Sequence, residues 1–169
     1  TINNATSLST GRSHSCVVRA DQTAWCWGDN SSGQLGNNSL VNRSAPVMVQ
    51  SMKQFLAVTT GQDFTCGLYS DHSVSCWGAN AENQLGDGST TPRRVPGLAL
   101  PLANVQAIAS GLRHTCAIMA DRTVQCWGSN FNGALGDGTS RTTRTTPQEV
   151  RQLAFVTSLS AGNDFTCAQ

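Results

Sequence analysis

The apolar positions of this chain come in short runs that alternate with polar residues. In the first fifty residues the runs are "SLST", "HSCVV" and "TAWCW", and polar or glycine-containing segments separate them. Alternation over so few residues predicts β-strands, because an amphipathic helix needs an apolar period of about 3.6 sustained over roughly ten residues or more. The pattern therefore predicts an all-β fold with frequent turns.

The same runs recur at a fixed interval along the whole chain. One cysteine returns at intervals of 50, 50 and 51 residues, at Cys16, Cys66, Cys116 and Cys167. A second cysteine, followed each time by Trp-Gly, returns at intervals of 50, at Cys26, Cys76 and Cys126. The single extra residue falls in the loop after Gly136, where an insertion costs little. We expect one partial β-propeller domain over residues 1–169, with repeats at approximately 7–56, 57–106 and 107–157 and a partial repeat at 158–169.

Each full repeat predicts four strands. In the first repeat they are residues 7–10, 14–18 and 23–27 and a fourth strand near 46–49, and the partial repeat predicts strands at 158–161 and 165–168. Four short strands in a repeat of roughly 40–50 residues are typical of one β-propeller blade. The sequence thus predicts about three and a third blades. Because propellers close with ~4–8 blades, we expect further blades or subunits to complete the ring.

The second and third strands of each repeat predict a hairpin in which two cysteines face each other. If Cys16 lies opposite Cys26, then Val18 lies opposite Ala24, and the later repeats give the same apolar pairing. Directly opposed residues of an antiparallel pair lie close enough for a disulfide with slight adjustment. We predict three bridges, Cys16–Cys26, Cys66–Cys76 and Cys116–Cys126.

Two alternatives for these cysteines are weighed against the bridges. They could be reduced and packed as small apolar side chains. A zinc site is the other alternative, but zinc ligands usually follow a Cys-x2–4-Cys spacing, which the offset of 10 residues between Cys16 and Cys26 does not match. We expect the partner of Cys167 to be a cysteine followed by Trp-Gly, about ten residues further on and beyond Gln169. Because disulfides persist in oxidising compartments, the bridges predict an extracellular or cell-surface protein.

Composition narrows the range of partners. Charged residues make up 12% of the chain and the formal net charge is +1. Nucleic-acid binding through phosphate contacts needs a concentrated basic patch, so we expect no nucleic-acid partner. No apolar stretch approaches the ~20 residues of a transmembrane helix, so we expect no membrane span.

Several short motifs resemble the regulator of chromosome condensation repeat family. They are Gly11-x-x-His14 and Gly111-x-x-His114, Trp-Gly-x-Asn at 27–30, 77–80 and 127–130, and the strings "CWGDNSSGQLG" and "CWGANAENQLG". The resemblance covers essentially the whole chain and implies a seven-bladed propeller. The founding member of that family catalyses nucleotide exchange on a small GTPase through a wedge inserted between regular strands. No repeat here carries an insertion of more than one residue, so the sequence offers no candidate for such a wedge. The paired cysteines and the surface rich in Ser, Thr and Asn are most similar to bacterial or secreted members.

No arrangement of residues predicts catalysis or a bound cofactor. His14 and His114 share a repeat position with Phe64 and Phe165, which indicates packing rather than proton transfer. The loops between blades differ most from repeat to repeat, at 36–46, 86–96 and 136–147, and loops held on a rigid framework are common binding surfaces. We predict that they bind a protein or a surface glycan, with four arginines as candidate anchors, Arg93, Arg94, Arg141 and Arg144.

These observations favour a non-enzymatic extracellular or cell-surface scaffold for protein binding or adhesion. One alternative is an intracellular regulatory propeller of the guanine-nucleotide-exchange type. Counting free thiols separates it from the favoured hypothesis, because an intracellular protein keeps its cysteines reduced. The other alternative is a structural subunit of a surface filament or coat, which regular contacts in images of native material would support.

Overall fold

The computed structural model describes residues 2–97 and 100–169, and every regular element among them is a β-strand. The first blade consists of Ala5–Thr10 (β1), His14–Arg19 (β2), Ala24–Gly28 (β3) and Arg43–Met48 (β4). The second has Phe55–Thr60 (β5), Phe64–Tyr69 (β6) and Val74–Gly78 (β7), and the third has Val105–Ser110 (β8), His114–Met119 (β9), Val124–Gly128 (β10) and Arg144–Glu149 (β11). Leu159–Ala161 (β12) and Thr166–Ala168 (β13) follow as a two-stranded sheet. The strands of each sheet are antiparallel and pair in chain order, which confirms the predicted all-β architecture.

Among the described residues of the second blade, the predicted fourth strand is represented by one isolated bridge. Gly78 and Arg93 form this bridge, and its two backbone hydrogen bonds measure 2.7 and 3.0 Å. Pro92 directly precedes Arg93 of that bridge, and a proline has no N–H to donate to a neighbouring strand. Residues 98 and 99, which the repeat places in this strand, lie outside the described residues.

The three predicted disulfides are present. Cys16 pairs directly with Cys26 in the β2–β3 hairpin, and the equivalent hairpins of the next two blades have the same register. The bridges are Cys16–Cys26, Cys66–Cys76 and Cys116–Cys126, with Cα–Cα distances of 4.1, 4.0 and 4.1 Å. All six cysteines are buried, so the bridges belong to the core and not to the surface.

Neighbouring blades pack through one disulfide-bearing face and one aromatic face. The face of the first blade that carries Cys16, Val18 and Cys26 lies against Phe55 and Trp77 of the second. The second blade offers the same disulfide-bearing face to Val105, Met119 and Trp127 of the third. This repetition explains the strict spacing in the sequence, because each residue serves the same interface one blade later.

A tryptophan closes each of these two interfaces. The Trp77 indole donates a hydrogen bond to the Gln34 carbonyl of the preceding blade at 3.0 Å, and Trp127 donates to Gln84 at 3.1 Å. Gly36 has a φ of 67°, and a Cβ on it would lie 2.6 Å from the Trp77 Nε1 atom. The Gln-Leu-Gly segment is therefore a tryptophan socket, and its glycine is needed for the backbone to approach the ring.

The Gly-x-x-His motif has a steric explanation. The aromatic or imidazole ring three residues after the glycine lies on the glycine Cα, so that a Cβ on Gly61 would overlap the Phe64 ring and one on Gly111 would overlap the His114 ring. The motif is thus Gly followed by a flat ring, and histidine and phenylalanine are interchangeable in it for packing.

We expect Gly61→Ala to lower the free energy of unfolding by about 1–3 kcal/mol, the usual cost of overpacking a core. Adding Phe64→Ala removes the ring that the new methyl group meets, so the double variant should lose less than the sum of the two single losses. Urea unfolding of the four proteins measures this coupling. Strictly additive losses would contradict the proposed steric role of the glycine.

The two histidines of the motif are buried between blades. His14 Nε2 lies 2.9 Å from the Thr65 hydroxyl of the next blade, and His114 Nε2 lies 2.9 Å from the Thr166 hydroxyl. Burial lowers the pKa of His14 from 6.5 to about 4, against a smaller opposing effect of Asp29, and burial also lowers the pKa of His114. Both rings are therefore neutral structural groups near neutral pH, as predicted for packing residues.

The lowered pKa of His14 predicts a loss of stability in mild acid. The unfolded chain binds a proton at His14 near pH 6.5 and the folded protein only near pH 4, so stability falls between these values, by about 3 kcal/mol from this group. His14→Phe introduces the residue that the second blade has at the equivalent position, Phe64. In this variant most of the loss of stability between pH 6.5 and pH 4 should disappear. Urea unfolding midpoints from pH 7 to pH 4 measure it, and an unchanged slope in the variant would contradict it.

Candidate partner-binding surface

One long loop follows the third strand of each blade, after β3, β7 and β10. A buried asparagine holds the backbone of each loop in shape. Asn30 Oδ1 accepts a hydrogen bond from the Leu35 N–H at 3.0 Å, and its Nδ2 donates across the loop to the Ser39 carbonyl at 2.9 Å. Asn80 and Asn130 make the equivalent bonds. The sequence showed this asparagine only as part of a repeated motif. Its identity in all three copies was the available indication that it holds the loop in shape.

Adjacent loops are joined into one surface by backbone hydrogen bonds. The Asn38 N–H of the first loop donates to the Arg94 carbonyl of the second at 3.0 Å, and the Gly88 N–H donates to the Thr145 carbonyl of the third blade at 2.9 Å. The turns between first and second strands lie on the same side, since the Asp29 N–H donates to the Ser13 carbonyl at 2.8 Å. We call this side, formed by residues 29–43, 79–94 and 129–144, the loop face.

The four predicted anchor arginines fall into two pairs. Arg93 donates to the Asp87 carboxylate at 2.8 Å, and Arg144 donates to Asp137 at 2.6 Å, so both guanidinium groups are held within their own loops. Burial alone would raise the pKa of Asp137, but hydrogen bonds from Thr139 and the pairing with Arg144 outweigh it and hold that pKa at about 2. These two arginines brace the loops.

Arg94 and Arg141 are exposed on the loop face. Arg94 lines a cleft of about 380 Å³ between the first and second loops, together with Ser31, Leu40 and Pro92. The loop face also carries exposed apolar side chains, of which Val41 is 60% exposed and Phe131 is 66% exposed. The loop face therefore offers both cationic and apolar groups to a partner.

Cys167 has the position expected of it within the repeat. It lies on β13 opposite Ser160, is exposed, and forms no disulfide with any described residue.

Within residues 2–97 and 100–169, no helix is long and apolar enough to cross a membrane.

The fold is shared with several solved structures. Human WBSCR16 superimposes with a TM-score of 0.81 at 26% identity, over 92% of this chain and 42% of that one. Prp20p from Saccharomyces cerevisiae, whose structure was described with its binding to Gsp1p and histones, gives a TM-score of 0.65 at 18% identity, over 92% of this chain and 52% of that one. The CRINKLY WD40 ectodomain of the Arabidopsis thaliana receptor kinase ACR4 gives 0.60 at 25% identity, over 95% and 45%. The chain thus spans about half the length of these proteins.

Family comparison agrees with the structural likeness. No curated protein matches this chain at a significant level. Family models described as the regulator of chromosome condensation (RCC1) repeat match residues 5–34, 55–84 and 105–134, and, in a second model, residues 21–68, 71–118 and 123–169. The second set covers most of the sequence, with matched segments in all three blades and in the partial fourth. The chain therefore belongs to the RCC1 repeat family of β-propellers.

Proposed function

We propose that this protein is a non-enzymatic extracellular or cell-surface scaffold that binds a protein or surface-glycan partner through its loop face. The observation that carries the proposal is the set of three buried cross-strand disulfides. Such bonds form and persist in oxidising compartments and are rare in the cytosol and nucleus. They weigh against the intracellular exchange-factor alternative.

The likeness to the ACR4 ectodomain also supports an extracellular location. It is the ectodomain of a receptor kinase and is 25% identical to this chain. Prp20p, described with Gsp1p and histones, is less similar at 18% identity. The likeness to Prp20p supports the fold alone. The repeats also carry no insertion of more than one residue that could serve as the wedge of an exchange factor.

The loop face supplies the means of binding. Its backbone is fixed by the buried asparagines and by the hydrogen bonds between adjacent loops, so the surface is largely organised before a partner arrives. Exposed Arg94 and Arg141 can pair with carboxylates or with acidic sugars, and Phe131 can stack on an apolar group or a sugar ring.

Binding of the labelled full chain to intact cells of its source organism tests the proposal. The change is Arg94→Ala with Arg141→Ala, and the matched control is Arg122→Ala, an exposed arginine in the β9–β10 hairpin turn outside the loop face. We expect the wild-type protein to bind saturably and the double variant to bind about tenfold or more weakly, because desolvated arginines are frequent hot spots. The Arg122→Ala control should bind as the wild type does. Absence of surface binding, or equal binding by all three proteins, would overturn the proposal.

A further inference from the structure

A cleft of about 380 Å³ lies where the loops of the first and second blades meet. We call this meeting line, between residues 31–40 and 79–94, the first seam, and the equivalent line between residues 81–90 and 129–145 the second seam. The volume falls in the range of sites that take small ligands, roughly 300–1,000 Å³. Both walls of the cleft belong to neighbouring blades within the chain. Its lining includes Ser31, Ser32, Leu40, Ala81, Thr90 and Arg94.

The first loop fixes the backbone of Arg94 on two sides. The Asn38 N–H donates to the Arg94 carbonyl at 3.0 Å, and a Cβ on Gly33 would lie only 2.9 Å from the Arg94 Cα atom. Arg94 is nevertheless exposed, and no carboxylate of the described residues pairs with it. A cation on a backbone that is already held in place loses less freedom when it binds an anion. Arg94 is therefore a preorganised anchor for an anionic group.

The other lining groups match the remaining parts of an acidic sugar. Ser32 and Thr90 bring hydroxyl groups into the lining, which suit the hydroxyl groups of a sugar. Leu40, which is 42% exposed, and Pro92 offer apolar surface to the C–H face of a sugar ring. An aspartate or glutamate side chain would bring the same carboxylate but would fill only a small part of the cleft. The lining thus favours an acidic sugar over an acidic side chain.

The second seam lacks these features although its backbone is equivalent. The Gly88 N–H donates to the Thr145 carbonyl at the second seam, as the Asn38 N–H donates to Arg94 at the first. The repeat positions of the second seam carry Thr145 in place of Arg94, Glu82 in place of Ser32 and Phe131 in place of Ala81. It has therefore lost the cation, gained a carboxylate and exchanged a small side chain for a ring. We expect an anion to bind at the first seam and not at the second.

We propose that the cleft of the first seam binds an acidic sugar residue of a surface glycan. The sugar carboxylate pairs with the Arg94 guanidinium, and the ring lies against Leu40 and Pro92. A guanidinium holds a carboxylate through two parallel hydrogen bonds, which makes the contact directional as well as strong. The inference rests on the proposed function, because it assigns the class of partner that the loop face binds.

Isothermal titration calorimetry of the full chain tests the site with purified compounds. The acidic probes are trigalacturonate and sialyllactose, and their neutral counterparts are trigalactose and lactose. A hexaglutamate peptide presents carboxylates on a polypeptide instead of a sugar. We expect at least one acidic oligosaccharide to bind about tenfold or more tightly than its neutral counterpart and than the peptide, because the charge-assisted hydrogen bonds to Arg94 add to the contacts of the ring.

Two variants test whether this binding occurs in the cleft. Arg94→Ala removes the anchor, and Ala81→Phe places in the cleft wall the residue that the third blade has at this position. Both residues are exposed, so we expect the urea unfolding midpoint to stay unchanged. Each variant should bind the acidic oligosaccharide about tenfold or more weakly. The control Arg122→Ala removes the same charge outside the loop face and should bind as the wild type does.

Binding of neither acidic oligosaccharide, or binding that Arg94→Ala or Ala81→Phe retains, would overturn the assignment of the cleft. Tighter binding of hexaglutamate would assign the cleft to an acidic protein segment and would also overturn it. The proposed function fails separately, when intact cells are not bound even though an acidic oligosaccharide is. Binding to cells that Ala81→Phe leaves unchanged would overturn the assignment of the cleft alone.

Discussion

Trp77→Ala should lower the free energy of unfolding by about 3–5 kcal/mol, the cost found when a fully buried large aromatic side chain is truncated. The ring is completely buried between the first and second blades, contacts Phe55 at a centroid distance of 6.1 Å, and donates to the Gln34 carbonyl at 3.0 Å. Truncation opens a cavity and leaves a buried carbonyl with one donor fewer. Urea unfolding followed by circular dichroism measures the loss.

Trp27→Ala is the matched control for this prediction. Trp27 occupies the same repeat position but is only half-buried and donates to no carbonyl among the described residues. We expect its loss to be less than half that of Trp77→Ala. Equal losses at the two positions would contradict the account of the tryptophan as a closing element between blades.

Replacing Cys66 and Cys76 together by alanine should lower the free energy of unfolding by about 2–3 kcal/mol. The loop closed by this bridge is short, with a sequence separation of 10 residues, so the gain from restricting the unfolded chain lies at the low end for disulfides. Its burial between the second and third blades adds packing that alanine does not restore. Thermal and urea unfolding under non-reducing conditions measure the difference.

Cys167→Ser provides the control for the disulfide variant. Cys167 is exposed and forms no disulfide with a described residue, so its substitution should change stability by no more than about 0.5 kcal/mol. Reducing agent should destabilise the wild-type protein and leave the Cys66→Ala/Cys76→Ala variant with a smaller response. A variant as stable as the wild type would contradict a stabilising role for this bridge.

The parts of the fold that repeat could be predicted from the sequence. The hairpin register of Cys16 with Cys26 could be predicted because the cysteine pair and the apolar pair on the same face recur together in every full repeat. Trp77 and Trp127 recur at this interval too, and each is fully buried at the equivalent interface between blades.

The parts that vary between copies could not be predicted in this way. The isolated bridge of Arg93 with Gly78 directly follows Pro92, which has no proline counterpart at position 42 of the first blade. The pairing of Arg93 with Asp87 and of Arg144 with Asp137 depends on loop conformation, which the buried asparagines set through contacts that spacing does not show. Sequence proximity therefore identified the arginines but not which of them face solvent.

Each of the three blades carries a disulfide across one of its own hairpins, and we propose that the protein works in an oxidising compartment. Alkylation of the protein from its native source, after denaturation without reductant, counts the free thiols by mass spectrometry. Within residues 1–169 the account predicts that none of the six cysteines of the three bridges is labelled. Labelling of all seven cysteines of this sequence would contradict both the bridges and the proposed extracellular location.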